Sequence, residues 1–134
     1  LLFKMSCLFQ SLSSYVSHQD YSKLRQDICD FLETNPNILD DMPLDKVVEL
    51  DNISINDYIK HMRNNATWGG AIEIKSFCEM YQVNVIVINI RNNSQDKDSP
   101  KEIKFTSSKP SNRWVGITWS GGHFEPIDIT NNLT

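Results

Sequence analysis

Leu12, Tyr15 and Val16 follow Leu8 at offsets of four, seven and eight, with Phe9 beside them, which puts all five on one helical face and leaves Ser6 at the N-cap position. Leu24, Ile28, Phe31 and Leu32 define a second apolar face. Asn35-Pro36 ends it, because a residue before proline is driven out of the α region. From 37 to 52 the pattern is irregular and acidic, which reads as a loop or a short helix. Ser54-Ile55-Asn56-Asp57 resembles a capping box leading into Tyr58, Ile59 and Met62, a third helix. A break over 64–70 separates it from Ile74, Phe77, Cys78 and Tyr81, whose spacing predicts a fourth.

The pattern then changes period. Val83 to Ile90 is β-branched and almost continuously apolar, as expected of a strand covered on both faces and central in a sheet. A polar connection over 91–101 precedes an alternating stretch at Glu102–Thr106 and a loop over 107–112. Trp114–Trp119 and Phe124–Ile129 predict two more strands joined by the turn Ser120-Gly121-Gly122. Helices first and strands last predict an α+β domain, with the helices packed on a mainly antiparallel central sheet.

At 134 residues and 40% hydrophobic, the chain is sized for one core, so residues 1–134 are read as a single domain. It opens Leu1-Leu2-Phe3-Lys4 with no initiator Met and is expected to be a piece of a longer protein. No apolar run is long enough to cross a bilayer. A net charge of −4, with no basic cluster interleaved with aromatics, disfavours nucleic acid and anionic membrane and favours a basic partner. Three cysteines without paired short spacing make no disulfide framework and fit a reducing compartment, so a cytoplasmic location is expected, the host cytosol for a viral protein. A monomer is expected.

Among groups that do chemistry, Cys29 and Cys78 lie within apolar helical faces and read as small buried hydrophobes. Cys7 differs: it stands at a helix start, where unpaired N–H groups favour a thiolate, and it is the candidate nucleophile. His18 and His61 read as surface residues. His123 follows Gly121-Gly122 at the mouth of a strand, where a turn can present an imidazole to a neighbouring element. Glu125 shares a strand face with His123 and is the candidate orienting acid, while Asp128 falls on the other face unless Pro126 introduces a bulge. Asp40-Asp41 admits a two-carboxylate hydrolase, although adjacent acids in an acidic loop suit solvation better. There is no Cys-x-x-Cys, His-Glu-x-x-His or Gly-rich phosphate loop, so neither metal nor cofactor is expected.

Three segments together resemble the OTU (ovarian tumour) cysteine proteases, which remove ubiquitin or ubiquitin-like modifiers. Cys7-Leu8-Phe9-Gln10-Ser11-Leu12 is similar to the family's nucleophile helix, Trp68-Gly69-Gly70-Ala71-Ile72-Glu73-Ile74 to its Trp-Gly-Gly-x-x-Glu segment, and His123-Phe124-Glu125 to its closing His-aromatic-acid. They stand in family order across almost the whole chain, with Leu24-Arg25 between them. Two features depart. Lys4-Met5-Ser6 replaces the usual Asp-Gly-Asn of the loop that shapes the oxyanion hole, where Met tolerates positive φ poorly, and Glu125 stands where Asp or Asn is commoner.

The resemblance implies a papain-type fold and thiol acyl transfer at the modifier's C-terminal Gly: Cys7 as nucleophile, His123 as base, Glu125 as orienting acid, and the loop Lys4, Met5, Ser6 at the oxyanion. It implies that Trp119, Gly121 and Gly122 wall the slot for a Gly-Gly tail, and that Trp68-Gly69-Gly70 is structural. The acidic stretch with Asp40, Asp41 and Asp45 lies where the substrate-contacting arm would be, to face a basic ubiquitin surface or simply to be solvated. Two alternatives stay open: a weak or inactive ubiquitin-binding module, and a protease of a viral or mobile-element polyprotein.

Overall fold

The computed structural model describes residues 5–17, 20–41, 54–90 and 102–129, and of 39–41 the backbone only. Among the described residues four α-helices precede and flank one four-stranded sheet. Helix α1 (Cys7–Ser13) is shorter than its apolar period predicts: the chain leaves the helix at Ser14, and Tyr15 and Val16 follow outside it. Helix α2 (Tyr21–Thr34) begins at Asp20, whose side chain accepts from the N–H groups of Ser22 and Lys23, and ends at Asn35 before Pro36. A 3-10 helix occupies Pro36–Asp41. Helix α3 (Ile55–Met62) is capped by the Ser54 hydroxyl, which accepts from the Asp57 N–H at 3.1 Å. Helix α4 (Ala71–Tyr81) starts at Gly70, whose N–H is taken by the Glu73 carboxylate at 2.7 Å.

The strands are β1 (Asn84–Asn89), β2 (Glu102–Phe105), β3 (Trp114–Trp119) and β4 (Phe124–Ile127), in the order β2-β1-β3-β4. Strand β1 is internal, as its apolar run predicts. Both outer pairings are antiparallel, but β1 and β3 run parallel, Asn84 opposite Trp114 through Asn89 opposite Trp119, so the sheet is mixed. The reason lies in the connection. Strand β2 ends at Phe105 opposite Val85, so a short crossing past the start of β1 delivers the chain to Trp114 beside Asn84, pointing the same way as β1.

That crossing is held by side chains of α4 and β1. Asn84 accepts from the Ser107 N–H at 3.0 Å and donates to the Ser111 carbonyl at 2.9 Å, while Glu79 accepts from Ser108 N–H and Oγ. Lys75 donates to the Thr106 carbonyl.

One apolar core joins the layers. Helix α1 packs on β4, α4 packs on β1 and β2, and α2 touches α1, α3 and α4. Leu8, Phe9, Leu12, Leu24, Ile28 and Phe77 are among its fully buried members. The Tyr15 hydroxyl lies 2.5 Å from the Gly116 carbonyl and 2.8 Å from that of Ile127, and accepts from the Ile127 N–H at 3.1 Å. The exit of α1 is thereby fastened to the β3–β4 pair. Among the described residues no helix is long and apolar enough to cross a membrane.

Candidate active site

Cys7 is the first residue of α1 and only 1% exposed. Its sulfur accepts the backbone N–H of Phe124 at 3.4 Å, which brings together two segments 117 residues apart. Cys29 and Cys78 lie in the core, where burial pushes both thiols up to about 12, far from thiolate character at neutral pH. The burial of Cys29 and Cys78 agrees with their reading as small hydrophobes, and Cys7 stands at a helix start as its spacing predicts.

Ser6 was expected as an N-cap, but its hydroxyl caps nothing. It turns inward, accepting from Arg25 Nη2 at 3.1 Å and donating to the Asn65 carbonyl at 3.4 Å. Met5 carries no strain, since Gln82 is the only non-glycine with positive φ among the described residues. Lys4 lies outside the described residues.

His123 immediately precedes β4, and its Nε2 stands 3.2 Å from Oε1 of Glu125 on that strand. A carboxylate at Nε2 holds the proton on that nitrogen and leaves Nδ1 with its lone pair as the basic end of the ring. Both side chains are open to solvent, 41% and 66% exposed, so the pair is weakly screened from water. The turn that presents them is closed by the Ser120 N–H to the His123 carbonyl at 3.0 Å, with Gly121 at φ 105°, a conformation glycine supplies without penalty. Asp128 follows β4, and its charge lies near Tyr15.

Two clefts meet at Phe124. A mainly apolar one of about 370 Å³ is lined by Trp68, Gly69, Gly70, Trp119, Gly121 and Gly122, among others, so the expected slot residues do share one groove. The other, about 350 Å³, lies along Gln10, Ser11, His123, Glu125 and Pro126. The expectation that Trp68-Gly69-Gly70 is structural holds for Gly70 as helix start, but the segment also lines the groove, and Trp68 is 43% exposed there. Gly69 has a packing role: a Cβ on it would stand 2.8 Å from Leu8 Cδ2 and 2.9 Å from Phe9 Cε2.

Behind the nucleophile lie two buried charges, Arg25 and Glu73, which the sequence reading names within its motifs without assigning them a role. Arg25, wholly buried, stacks over the Phe9 ring at 4.2 Å and donates to the Met62 carbonyl at 2.9 Å. Burial lowers its pKa, and the nearby Glu73 carboxylate acts in the opposite sense. Glu73, also wholly buried, accepts from the Tyr58 hydroxyl at 2.6 Å. The signal for Arg25 was present: positions 25, 28, 29 and 32 form one helical stripe, and a charge inside an apolar stripe is an anomaly.

Asp40 and Asp41 end the 3-10 helix, which packs on α2 and α4; their side chains, Asp45 and His18 lie outside the described residues. Among the described residues no group of His, Cys, Asp and Glu is arranged to hold a metal ion.

Comparison with known proteins gives a consistent picture. The profile of the family described as OTU-like cysteine protease matches residues 6–124. The chain is 28% identical over 130 residues to Ubiquitin thioesterase OTU1 of Saccharomyces cerevisiae, covering 96% of this chain but 38% of that protein. It therefore spans well under half the length of that curated relative. Among solved structures, an ovarian tumour (OTU) domain in complex with ubiquitin superposes with a TM-score of 0.66 at 24% identity, covering 90% of this chain and 62% of that one. An OTU deubiquitinase from Wolbachia pipientis wMel bound to ubiquitin superposes with a TM-score of 0.59 at 23% identity, covering 94% and 91%.

Proposed function

The chain belongs to the OTU-like cysteine protease family, and on that premise we propose that it is a thiol-dependent deubiquitinase acting at the C-terminal Gly of ubiquitin or a ubiquitin-like modifier. The observation that carries the reading is the meeting of Cys7 with the His123-Phe124-Glu125 segment through the Phe124 N–H.

In the proposed reaction His123 takes the Cys7 proton at Nδ1 while Glu125 holds Nε2–H, and Cys7 Sγ attacks the scissile carbonyl. The oxyanion is received by backbone N–H groups at Cys7 and the preceding turn, a contribution of about 2.7–4 kcal/mol per donor. His123 returns the proton to the departing lysine amine, and water then attacks the thioester with His123 again as base. Atoms balance with water as the only co-reactant. The groove along Trp68, Trp119 and Gly121-Gly122 suits a tail without side chains, and the cleft beside Gln10 and Glu125 suits the departing lysine side.

All of these groups belong to one chain, so a monomer suffices, and three unpaired cysteines suit the reducing cytosol. Release of lysine-peptide from a ubiquitin isopeptide conjugate by the chain, and none by Cys7→Ala, is the expected result. Binding without release by the wild type would favour an inactive ubiquitin-binding module.

A further inference from the structure

Arg25 is an expensive residue to bury. A guanidinium inside a core is kept only where acceptors surround it, and an apolar side chain of like volume commonly serves packing as well or better. Its acceptors come from two separate segments. On one side are the Met5 carbonyl at 3.4 Å and the Ser6 hydroxyl at 3.1 Å, the turn that enters Cys7. On the other are the Met62 carbonyl at 2.9 Å and the Asn65 carbonyl at 3.4 Å, the stretch that leads into Trp68-Gly69-Gly70. Ser6 closes the circuit by donating to that same Asn65 carbonyl.

The ring beneath the guanidinium belongs to Phe9, and Gly69 approaches that ring so closely that a methyl group would collide with it. Arg25 thus joins two segments, the turn that enters Cys7 and the stretch that leads to the groove residues Trp68, Gly69 and Gly70. A planar donor fork can span two such segments at once, and an ammonium on a flexible stem cannot reproduce that geometry.

We infer that Arg25 is a positioning residue of this site, a buried clamp that fixes the nucleophile turn relative to the Trp68-Gly69-Gly70 wall, with Ser6 as its partner. The inference rests on the proposed peptidase reading for its kinetic consequence but not for its structural one. The clamp acts on the geometry of attack rather than on the surface that holds the modifier, so it governs kcat more than KM.

The test compares Arg25→Lys, Ser6→Ala and their double variant in the full chain. Hydrolysis of a fluorogenic ubiquitin conjugate is normalised to folded protein, and amide hydrogen exchange is followed by segment. A drop in kcat of about 10- to 100-fold with KM little changed is expected for Arg25→Lys, of the size that a misplaced nucleophile costs. Ser6→Ala should fall in the same direction, and the double variant should be no worse than Arg25→Lys, because both act through one clamp. Exchange should quicken over 5–9 and 64–70 while β1 and β3 hold. Unchanged kcat in both single variants, or exchange that rises uniformly through the chain, would overturn the clamp. Should Arg25→Lys not fold, Ser6→Ala reads the same contact alone. If the wild type hydrolyses nothing, the peptidase reading fails, and the exchange pattern still decides the clamp.

Discussion

The Phe124 N–H points at the Cys7 sulfur from 3.4 Å, so the peptide between the proposed base and the proposed orienting acid is hydrogen-bonded to the nucleophile. Cys7 is 1% exposed, so a substrate carbonyl must reach a sulfur that is buried and already accepts one hydrogen bond. One hydrogen bond contributes about 0.5–1.5 kcal/mol, small against what a protein-sized partner supplies on docking.

The His123–Glu125 pair gives the first prediction. His123→Ala removes the base and should lower kcat by about 10²- to 10⁴-fold. Glu125→Gln keeps the fold and should lower kcat less, since an exposed carboxylate orients the ring in competition with water. Steady-state kinetics on Asp128→Asn is the counter-check: if that variant is crippled while Glu125→Gln is not, the acid has been misassigned.

Gly69 gives a second. Gly69→Ala forces a methyl into Leu8 and Phe9 and should destabilise the fold by about 1–3 kcal/mol while lowering kcat/KM. A Cβ on Gly70 meets nothing within 4 Å, so Gly70→Ala should leave the urea midpoint near that of the wild type. Equal losses in the two variants would mean that the close approach at Gly69 has no structural weight.

The buried thiols predict a pH dependence. Burial raises Cys29 and Cys78 from 9.0 to about 12, so between those values the unfolded chain sheds protons that the folded chain keeps. Fewer protons on the unfolded state means stability falls as pH rises, from full strength below pH 9 to its lowest above 12. Burial also raises Tyr15 and Tyr81, which adds to the decline at its alkaline end. Urea midpoints across this range should show a decline that Cys29→Ala and Cys78→Ala each make shallower, whatever either does at neutral pH. A flat profile in the wild type would contradict the burial of both thiols.

The acidic stretch supplies a prediction about recognition. If Asp40, Asp41 and Asp45 meet a basic modifier surface, changing all three to Asn should raise KM at low salt, flatten its salt dependence and spare kcat, because exposed charges steer encounter and are screened. An unchanged KM at low salt would assign the stretch to solvation alone.

Much of this arrangement was legible in residue spacing. Four helical periods, the two-sided apolar run of β1 and the order Cys7, Trp68-Gly69-Gly70, His123-Phe124-Glu125 all correspond to what the fold places where. The parallel pairing of β1 with β3 was not, because an apolar strand reads alike in either direction and only the route past Asn84 decides it. Tyr15 fits the first helical face by offset, yet its hydroxyl bonds to Gly116 and Ile127, a tertiary contact without local signature. Ser6 reads as a cap because its position is a cap position; its hydroxyl is instead drawn to Arg25, a charge whose burial shows only in the stripe it interrupts.

The central claim is that Cys7 alone is the nucleophile. The direct measurement is the intact mass of the chain after reaction with ubiquitin bearing a C-terminal electrophile, followed by peptide mapping of the attached residue. One ubiquitin on Cys7, and none on folded Cys7→Ala, is the predicted result. Attachment at Cys29 or Cys78, or no adduct on folded wild-type chain, would contradict it.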